Sequence, residues 1–185
     1  MHTLFLKKYF FVNTFDANLI KCQDKNTIII YRNYKKKNFL NEVLKLKKIC
    51  KKYKHKLILA NDVKLASKLR LDGAYLPSFN KKFNHLSYSL KNDFLLMGSA
   101  HNNQEIKIKE KQKVTKIFLS SIFKKNKNYL GINKFRNYTK NQNNKFVALG
   151  GINKNNLKKL KLLKIKEFAG ISFFEKKRPL KGAFS

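Results

Sequence analysis

Arg32, the dipeptide Asn61 and Asp62, the pair Ser99 and His101, the lysines Lys124, Lys125 and Lys127, the dipeptide Gly150 and Gly151, and Ser172 all follow short apolar runs of the chain. Together they supply a guanidinium, a carboxylate, an imidazole, hydroxyls, ammonium groups and a bare backbone turn. Arg32 can hold two phosphate oxygens in its planar fork. The paired glycines let backbone amides come close to a second phosphate, with the N-terminus of the following helix behind them, and Ser172 adds a hydroxyl or an amide. Asp62 is placed either to ligate Mg2+ on a pyrophosphate or to cap the helix that starts there. His101 can exchange a proton near neutral pH, and in a loop it can equally serve as a surface hydrogen-bonding group. The set points to ligands that carry phosphate. HExxH, CxxC, GxSxG and GxxxxGK[ST] are absent, so zinc-protease, redox, hydrolase-elbow and P-loop chemistries lack support.

For these residues to meet, a scaffold must bring the ends of many apolar runs to one side. Short apolar runs alternate with lysine-studded helical patterns, the signature of βα units and a parallel sheet. Strands are predicted at 9–13, 27–31, 56–60, 73–76, 94–98, 116–119, 145–149 and 167–171. The expected fold is one compact (β/α)8 TIM barrel, a single domain over residues 1–185. Barrels of this type more often need about 250 residues, so several helices must be short. An open doubly wound sheet competes, but no GxGxxG follows an early strand. In a barrel the strand C-termini share one mouth, which gathers Asn13, Thr14, Ser78, Asn80, Ser120 and Ser121 with the residues above.

Among the helices, FLNEVLKLKKICKKY places Phe39, Val43, Leu46 and Ile49 on one face with lysines outside. DVKLASKLRLDG turns Leu65, Leu69 and Ala66 inward, and NNLKKLKLLKI turns Leu157, Leu160 and Leu163 inward, with Asn153 or Asn155 as its cap. The segments 78–92 and 124–131 are polar and aperiodic, hence loops with at most a short turn of helix.

The net charge of +33 is the loudest compositional signal. It rests on 39 lysines and only four arginines, beside abundant Asn, Ile, Phe and Tyr, the residues of A/T-rich codons. Nucleic-acid readers favour arginine for its bidentate contacts, so the charge is read as codon bias in preference to a nucleic-acid partner. Ten carboxylates leave few candidates for metal or acid/base work. Two cysteines, Cys22 and Cys50, are too few for a disulfide framework. Lys7 and Lys8 interrupt the apolar N-terminus, no small-residue cleavage site follows, and no run approaches the about 20 residues of a membrane span. A soluble cytoplasmic protein with no membrane partner is expected, and a homo-oligomer is compatible with everything above.

The ordered segments IIIYRNY, LILANDVKLASKLRLDGAYL, GSAH, LGINKF, VALGGIN and FAGIS resemble the thiamine phosphate synthase and TenI family over roughly 27–173. The resemblance implies a (β/α)8 barrel that joins an aminopyrimidine pyrophosphate to a thiazole phosphate with Mg2+, releasing pyrophosphate. It also implies roles for individual residues. The family motif QxRxK reads Ile30, Arg32 and Tyr34, keeping the arginine. Asn61 and Asp62 match an ND pair that contacts pyrophosphate and metal. The LGQxD motif ends at Asn80, so the second metal carboxylate is missing. Ser99 and His101 match SxH, the serine near the pyrimidine and the histidine an acid/base in the thiazole tautomerases. PTxTK becomes KKNKN, in which Lys124, Lys125 and Lys127 keep positive charge and can stand in for part of the metal. Gly150, Gly151 and Ser172 match the thiazole-phosphate end.

The first functional reading is therefore a thiamine-pathway transferase acting on small phosphorylated heterocycles. A TenI-like tautomerase or a barrel that binds a thiamine precursor is the alternative, and a basic nucleic-acid-binding protein is the third.

Overall fold

The computed structural model describes residues 7–34, 39–140 and 145–175. The N-terminal stretch Met1 to Leu6, part of the segment weighed as a leader, lies outside them. Eight strands follow one another in chain order: β1 (Lys7–Val12), β2 (Thr27–Tyr31), β3 (Leu57–Ala60), β4 (Gly73–Leu76), β5 (Leu95–Ala100), β6 (Lys116–Ser120), β7 (Phe146–Leu149) and β8 (Glu167–Gly170). All neighbours are parallel, and β8 pairs back on β1, so the sheet is a closed barrel in the order β1 to β8. The expected TIM-type barrel with short helices is what the chain forms. Each predicted strand is present, with its ends shifted by at most two residues.

Strands this apolar form because a parallel sheet covered by helices buries both faces. Alternate residues separate into two cores. Tyr9, Phe11, Ile30, Ile58, Tyr75, Met97, Phe118, Val147 and Ala169 fill the barrel interior. Their neighbours Phe10, Ile29, Leu57, Leu59, Ala74, Leu96, Ile117, Leu119 and Phe168 pack outward under the helices. At the N-terminal end of the interior, Glu167 is buried and accepts from Tyr9 Oη at 2.6 Å and Lys116 Nζ at 2.7 Å. Three strands, β1, β6 and β8, meet at that carboxylate.

The outer layer is α1 (Ala17–Lys21), α2 (Leu40–Lys52), α3 (Val63–Lys68), α4 (Asn103–Lys111), α5 (Gly131–Thr139), α6 (Leu157–Leu162) and α7 (Ser172–Glu175). Between β4 and β5 a 3-10 turn, Asn84–Ser87, replaces a helix, as the aperiodic segment 78–92 suggested. Short crossovers are how 185 residues suffice. No helix among the described residues is long and apolar enough to cross a membrane.

Three details refine the expected helix faces. The buried stripe of α2 is Val43, Leu46 and Cys50, with Ile49 on its flank. In α3, Val63 and Ala66 are buried, while Leu65 and Leu69 pack against the core partly covered. The residue before α6 is Asn156, not Asn153 or Asn155. Asn153 Oδ1 instead accepts from the Asn155 and Asn156 amides in an Asx turn that leads into the helix.

Candidate active site at the C-terminal mouth

The inward alternation that fills the barrel also decides what reaches its mouth. On β2 the series Ile28, Ile30 continues to Arg32, and on β5 the series Leu95, Met97 continues to Ser99. The top of the interior is an aromatic floor. Phe11, Tyr75 and Phe118 meet edge to face, with centroids 5.3 Å apart for Phe11–Tyr75 and Tyr75–Phe118 and 5.8 Å apart for Phe11–Phe118. Arg32 Cζ lies 4.8 Å above the Phe11 ring, a cation–π contact that holds the guanidinium over the floor. Burial raises the Tyr75 pKa above the ordinary phenol value, with the Ser99 hydroxyl offsetting part of the rise, so the phenol stays protonated. Ser99 is itself buried. Neither Tyr75 nor Phe118 was singled out from sequence, although strand alternation marks them as inward.

On the β3–β4 side Asn61 is left-handed, φ +65°, a conformation asparagine tolerates better than most residues. Its amide donates to the Tyr75 carbonyl at 2.7 Å, and its side-chain oxygen accepts from Asn80 Nδ2 at 2.8 Å. Asp62 caps α3, its Oδ1 accepting from Leu65 N at 2.8 Å. A cavity of about 420 Å3, within the usual size of a small-ligand site, opens here between Asn33, Tyr34, Asn61, Asp62 and Phe79. Tyr34 and Phe79 stand edge to face at 5.3 Å on its rim. Among the described residues no three His, Cys, Asp or Glu side chains gather as a metal cage. Asp62 Oδ2 is the anionic oxygen left by the capping bond.

At the end of β5, His101 is tied to the first turn of α4. Glu105 Oε2 accepts from the His101 amide at 2.7 Å and lies 2.9 Å from His101 Nδ1, while Asn102 Oδ1 accepts from Glu105 N at 2.9 Å. Glu105 thereby fixes the ring and directs the other nitrogen, Nε2, to whatever His101 serves. Glu105 was not singled out from sequence, and its position four residues after His101 at a helix start was the available signal.

The opposite side is built from backbone. Gly150, φ +102°, offers its carbonyl to Phe123 N at 2.9 Å and Lys124 N at 3.3 Å. A Cβ on Gly150 would sit 2.3 Å from Ser121 Oγ, and one on Gly151 2.6 Å from Lys124 N. Two glycines are therefore required for the β6 and β7 loops to lie against each other. Ser121 Oγ donates to the Lys124 carbonyl at 2.8 Å, closing the turn that displays Lys124, Lys125 and Lys127 to solvent. Asn156 Nδ2 donates to the Gly151 carbonyl at 2.8 Å and so fixes the glycine loop, a role the sequence reading missed. Ser172 is exposed as the first residue of α7.

The structure thus places Arg32 over the aromatic floor with Ser99 at the end of β5, Asn61 and Asp62 on the β3 rim beside a cavity that neither Arg32 nor Ser99 lines, and Gly150, Gly151 and the lysine loop on the β6–β7 side, with His101 following β5. A larger cavity, about 550 Å3, lies at the other end of the barrel between Lys7, Lys25, Lys54, Lys56 and Lys116. Size alone would favour it, but convergent polar groups and the barrel's usual catalytic end favour the mouth.

The thiamine monophosphate synthase family model matches residues 14–174. A thiamine-phosphate synthase of Prochlorococcus marinus subsp. pastoris is 31% identical over 140 residues, 74% of this chain and 40% of that protein. The chain therefore spans well under half the length of that relative. Among solved structures, a thiamine phosphate pyrophosphorylase of Pyrococcus furiosus superposes with a TM-score of 0.73 at 16% identity, covering 94% of this chain and 92% of the other. One from Bacteroides thetaiotaomicron gives 0.61 at 17% identity, covering 96% and 88%. These two likenesses establish the shared barrel.

Proposed function

The chain belongs to the thiamine monophosphate synthase family, and on that premise we propose that its barrel mouth joins an aminopyrimidine pyrophosphate to a thiazole phosphate, forming thiamine phosphate and releasing pyrophosphate. One observation carries the reading. In a closed ring of eight strands, β3 and β7 stand opposite each other and end in different chemistry, which supports reading them as two kinds of phosphate site. Asn61, Asp62 and nearby Arg32 face one rim, and Gly150 and Gly151 form the other. Two phosphorylated rings held at opposite rims meet over the floor of Phe11, Tyr75 and Phe118.

In the reaction the bond between the pyrimidine's methylene carbon and the pyrophosphate oxygen breaks, the pyrophosphate leaving with the electron pair. The thiazole nitrogen then supplies its lone pair to that carbon. Arg32 holds the departing pyrophosphate through charge-assisted hydrogen bonds. Ser99 and the protonated Tyr75 hydroxyl contact the pyrimidine, and the aromatic floor excludes water that would otherwise capture the cation. Gly150, Gly151 and Ser172 hold the thiazole phosphate, with Lys124, Lys125 and Lys127 adding positive potential. Asp62, whose Oδ2 is left by the capping bond, would be the protein group to hold a magnesium ion shared with the pyrophosphate, no three-carboxylate or histidine cage standing among the described residues. When bound, that ion neutralises charge on the leaving group.

Purified protein incubated with both heterocycles and Mg2+ should make thiamine phosphate, and Asp62→Ala should abolish or sharply reduce turnover. No product from the native protein sinks the reading. The His101–Glu105 pair favours a second one, a TenI-like thiazole tautomerase with His101 as acid/base. His101→Asn separates the two, because a tautomerase collapses while a synthase loses only a few-fold, little of its chemistry being proton transfer.

A further inference from the structure

Lys109 reads in the sequence as one more solvated cation of α4, yet its side chain is fully buried. Its stem crosses β5 at Gly98, where a Cβ would lie 2.7 Å from Lys109 Cδ. Its ammonium group donates to the Pro77 carbonyl, the Asn80 carbonyl and Gln112 Oε1, each at 2.8 Å. Three donors meet three acceptors. Gln112, also buried, donates its Nε2 to the Asn80 and Lys82 carbonyls at 3.1 and 2.7 Å. From behind, His85 Nε2 lies 2.9 Å from the Gln112 carbonyl. The charged groups near this cluster are Glu105 on the same helix and the exposed Lys82 of the loop.

A buried ammonium is costly unless every donor is met, so these bonds fix where the loop runs. Residues 77–82 carry no helix or strand of their own. They do carry Asn80, whose side chain crosses to Asn61 on the rim. Neither Lys109 nor Gln112 lines the cavity there.

We propose that Lys109 and Gln112 are positioning residues: they hold the backbone of residues 77–82 so that Asn80 stands against Asn61, and thereby set the affinity of the β3–β4 rim for a pyrophosphate group. The inference rests on the pyrophosphate reading of that rim given above. It assigns no contact with substrate to either residue.

Lys109→Met and Gln112→Leu in the full chain test it, with three readouts beside the native protein. These are backbone amide exchange of residues 78–82, the Kd for inorganic pyrophosphate with Mg2+, and KM for each substrate. The expected result is faster exchange confined to 78–82 and pyrophosphate affinity weakened about tenfold, the cost of roughly one lost positioning hydrogen bond. KM for the pyrimidine pyrophosphate rises in step, while kcat and the thiazole KM stay within about twofold. Unchanged exchange, unchanged pyrophosphate affinity in a variant whose loop does exchange faster, or an equal rise in both KM values overturns the proposal. A native protein that binds pyrophosphate but makes no thiamine phosphate removes the synthase reading and leaves exchange and affinity to decide the positioning role. A native protein that binds no pyrophosphate overturns both. If Lys109→Met does not fold, Gln112→Leu, which leaves Lys109 its two carbonyl acceptors, carries the same readouts.

Discussion

The two rims of the mouth are assembled by opposite means. The β6–β7 rim is built mainly of backbone: the Gly150 carbonyl takes two amides of the neighbouring loop, Gly150 and Gly151 leave no room for a Cβ, and the Ser121 and Asn156 side chains bond only to main-chain carbonyls. The β3–β4 rim is held by side chains, through Asn61 with Asn80 above and Lys109 with Gln112 below. A chain with 39 lysines is a severe test of such devices. The backbone-built rim asks for its two glycines, with the Ser121 and Asn156 side chains closing and fixing the loops through main-chain carbonyls. The side-chain-built rim is rebuilt from the residues this composition supplies, asparagine, glutamine and lysine.

Breaking the backbone rim should cost most. Gly150→Ala meets Ser121 Oγ at 2.3 Å in a backbone conformation that L side chains rarely adopt. Strain and overpacking together predict a loss of about 3 kcal/mol, or roughly 6–12 °C in Tm, with thiazole-phosphate binding lost and pyrophosphate binding retained. Thermal melts and separate titrations of the two ligands check it, and equal loss of both ligands would erase the division between the rims. The next effect in size is at Arg32. Arg32→Ala removes charge-assisted bonds worth about 1.5–3 kcal/mol, so KM for the pyrimidine pyrophosphate should rise roughly 10- to 100-fold with the thiazole KM little changed.

The smallest effect distinguishes the rims by pH. Burial, partly offset by Glu105, lowers the Lys109 pKa from 10.5 to about 8. Above about 8 the folded chain releases this proton while the unfolded chain keeps it until 10.5, so this group makes stability rise with pH across that window. Denaturant melts of native protein and Lys109→Met should therefore diverge in the native protein's favour by roughly 1 kcal/mol between about pH 8 and 9.5. Cys50, raised from 9.0 to about 12 by burial, acts in the opposite sense from about pH 9, and the raised Tyr9, Tyr31 and Tyr75 do so above about pH 10, but all are shared by both proteins and cancel in the difference. Parallel curves would mean that the β3–β4 rim leans on no titrating group.

The barrel was legible because parallel strands buried on both faces leave continuous apolar runs, as in TIIIY and LILA, separated by amphipathic helices. The mouth was legible at strand ends: Arg32, Asn61, Ser99 and the glycine pair follow directly from where each run stops. What escaped was whatever depended on a partner distant in sequence. Lys109 looks like its exposed neighbours Lys107 and Lys111 until Pro77 and Asn80 are seen 32 and 29 residues away. Glu105 and Asn156 act on groups four and five residues distant, but helix starts offer many such pairings. Ile49 and Leu65 pack against the core only partly buried, Ala66, also read as inward, is fully buried, and Cys50 is the buried α2 residue that hydrophobic spacing passed over.

The stem of Lys109 over Gly98 also constrains how this chain can change. A β-carbon at 98 collides with the stem only while Lys109 is present. Alanine at 98 is therefore harmful in the present background and better tolerated once a small residue occupies 109, the Leu76 carbonyl at 3.1 Å being the tight contact that stays. Mutational paths through this pair have a direction. The lysine must go before the glycine can, and each step is judged by the residue already standing at the other position.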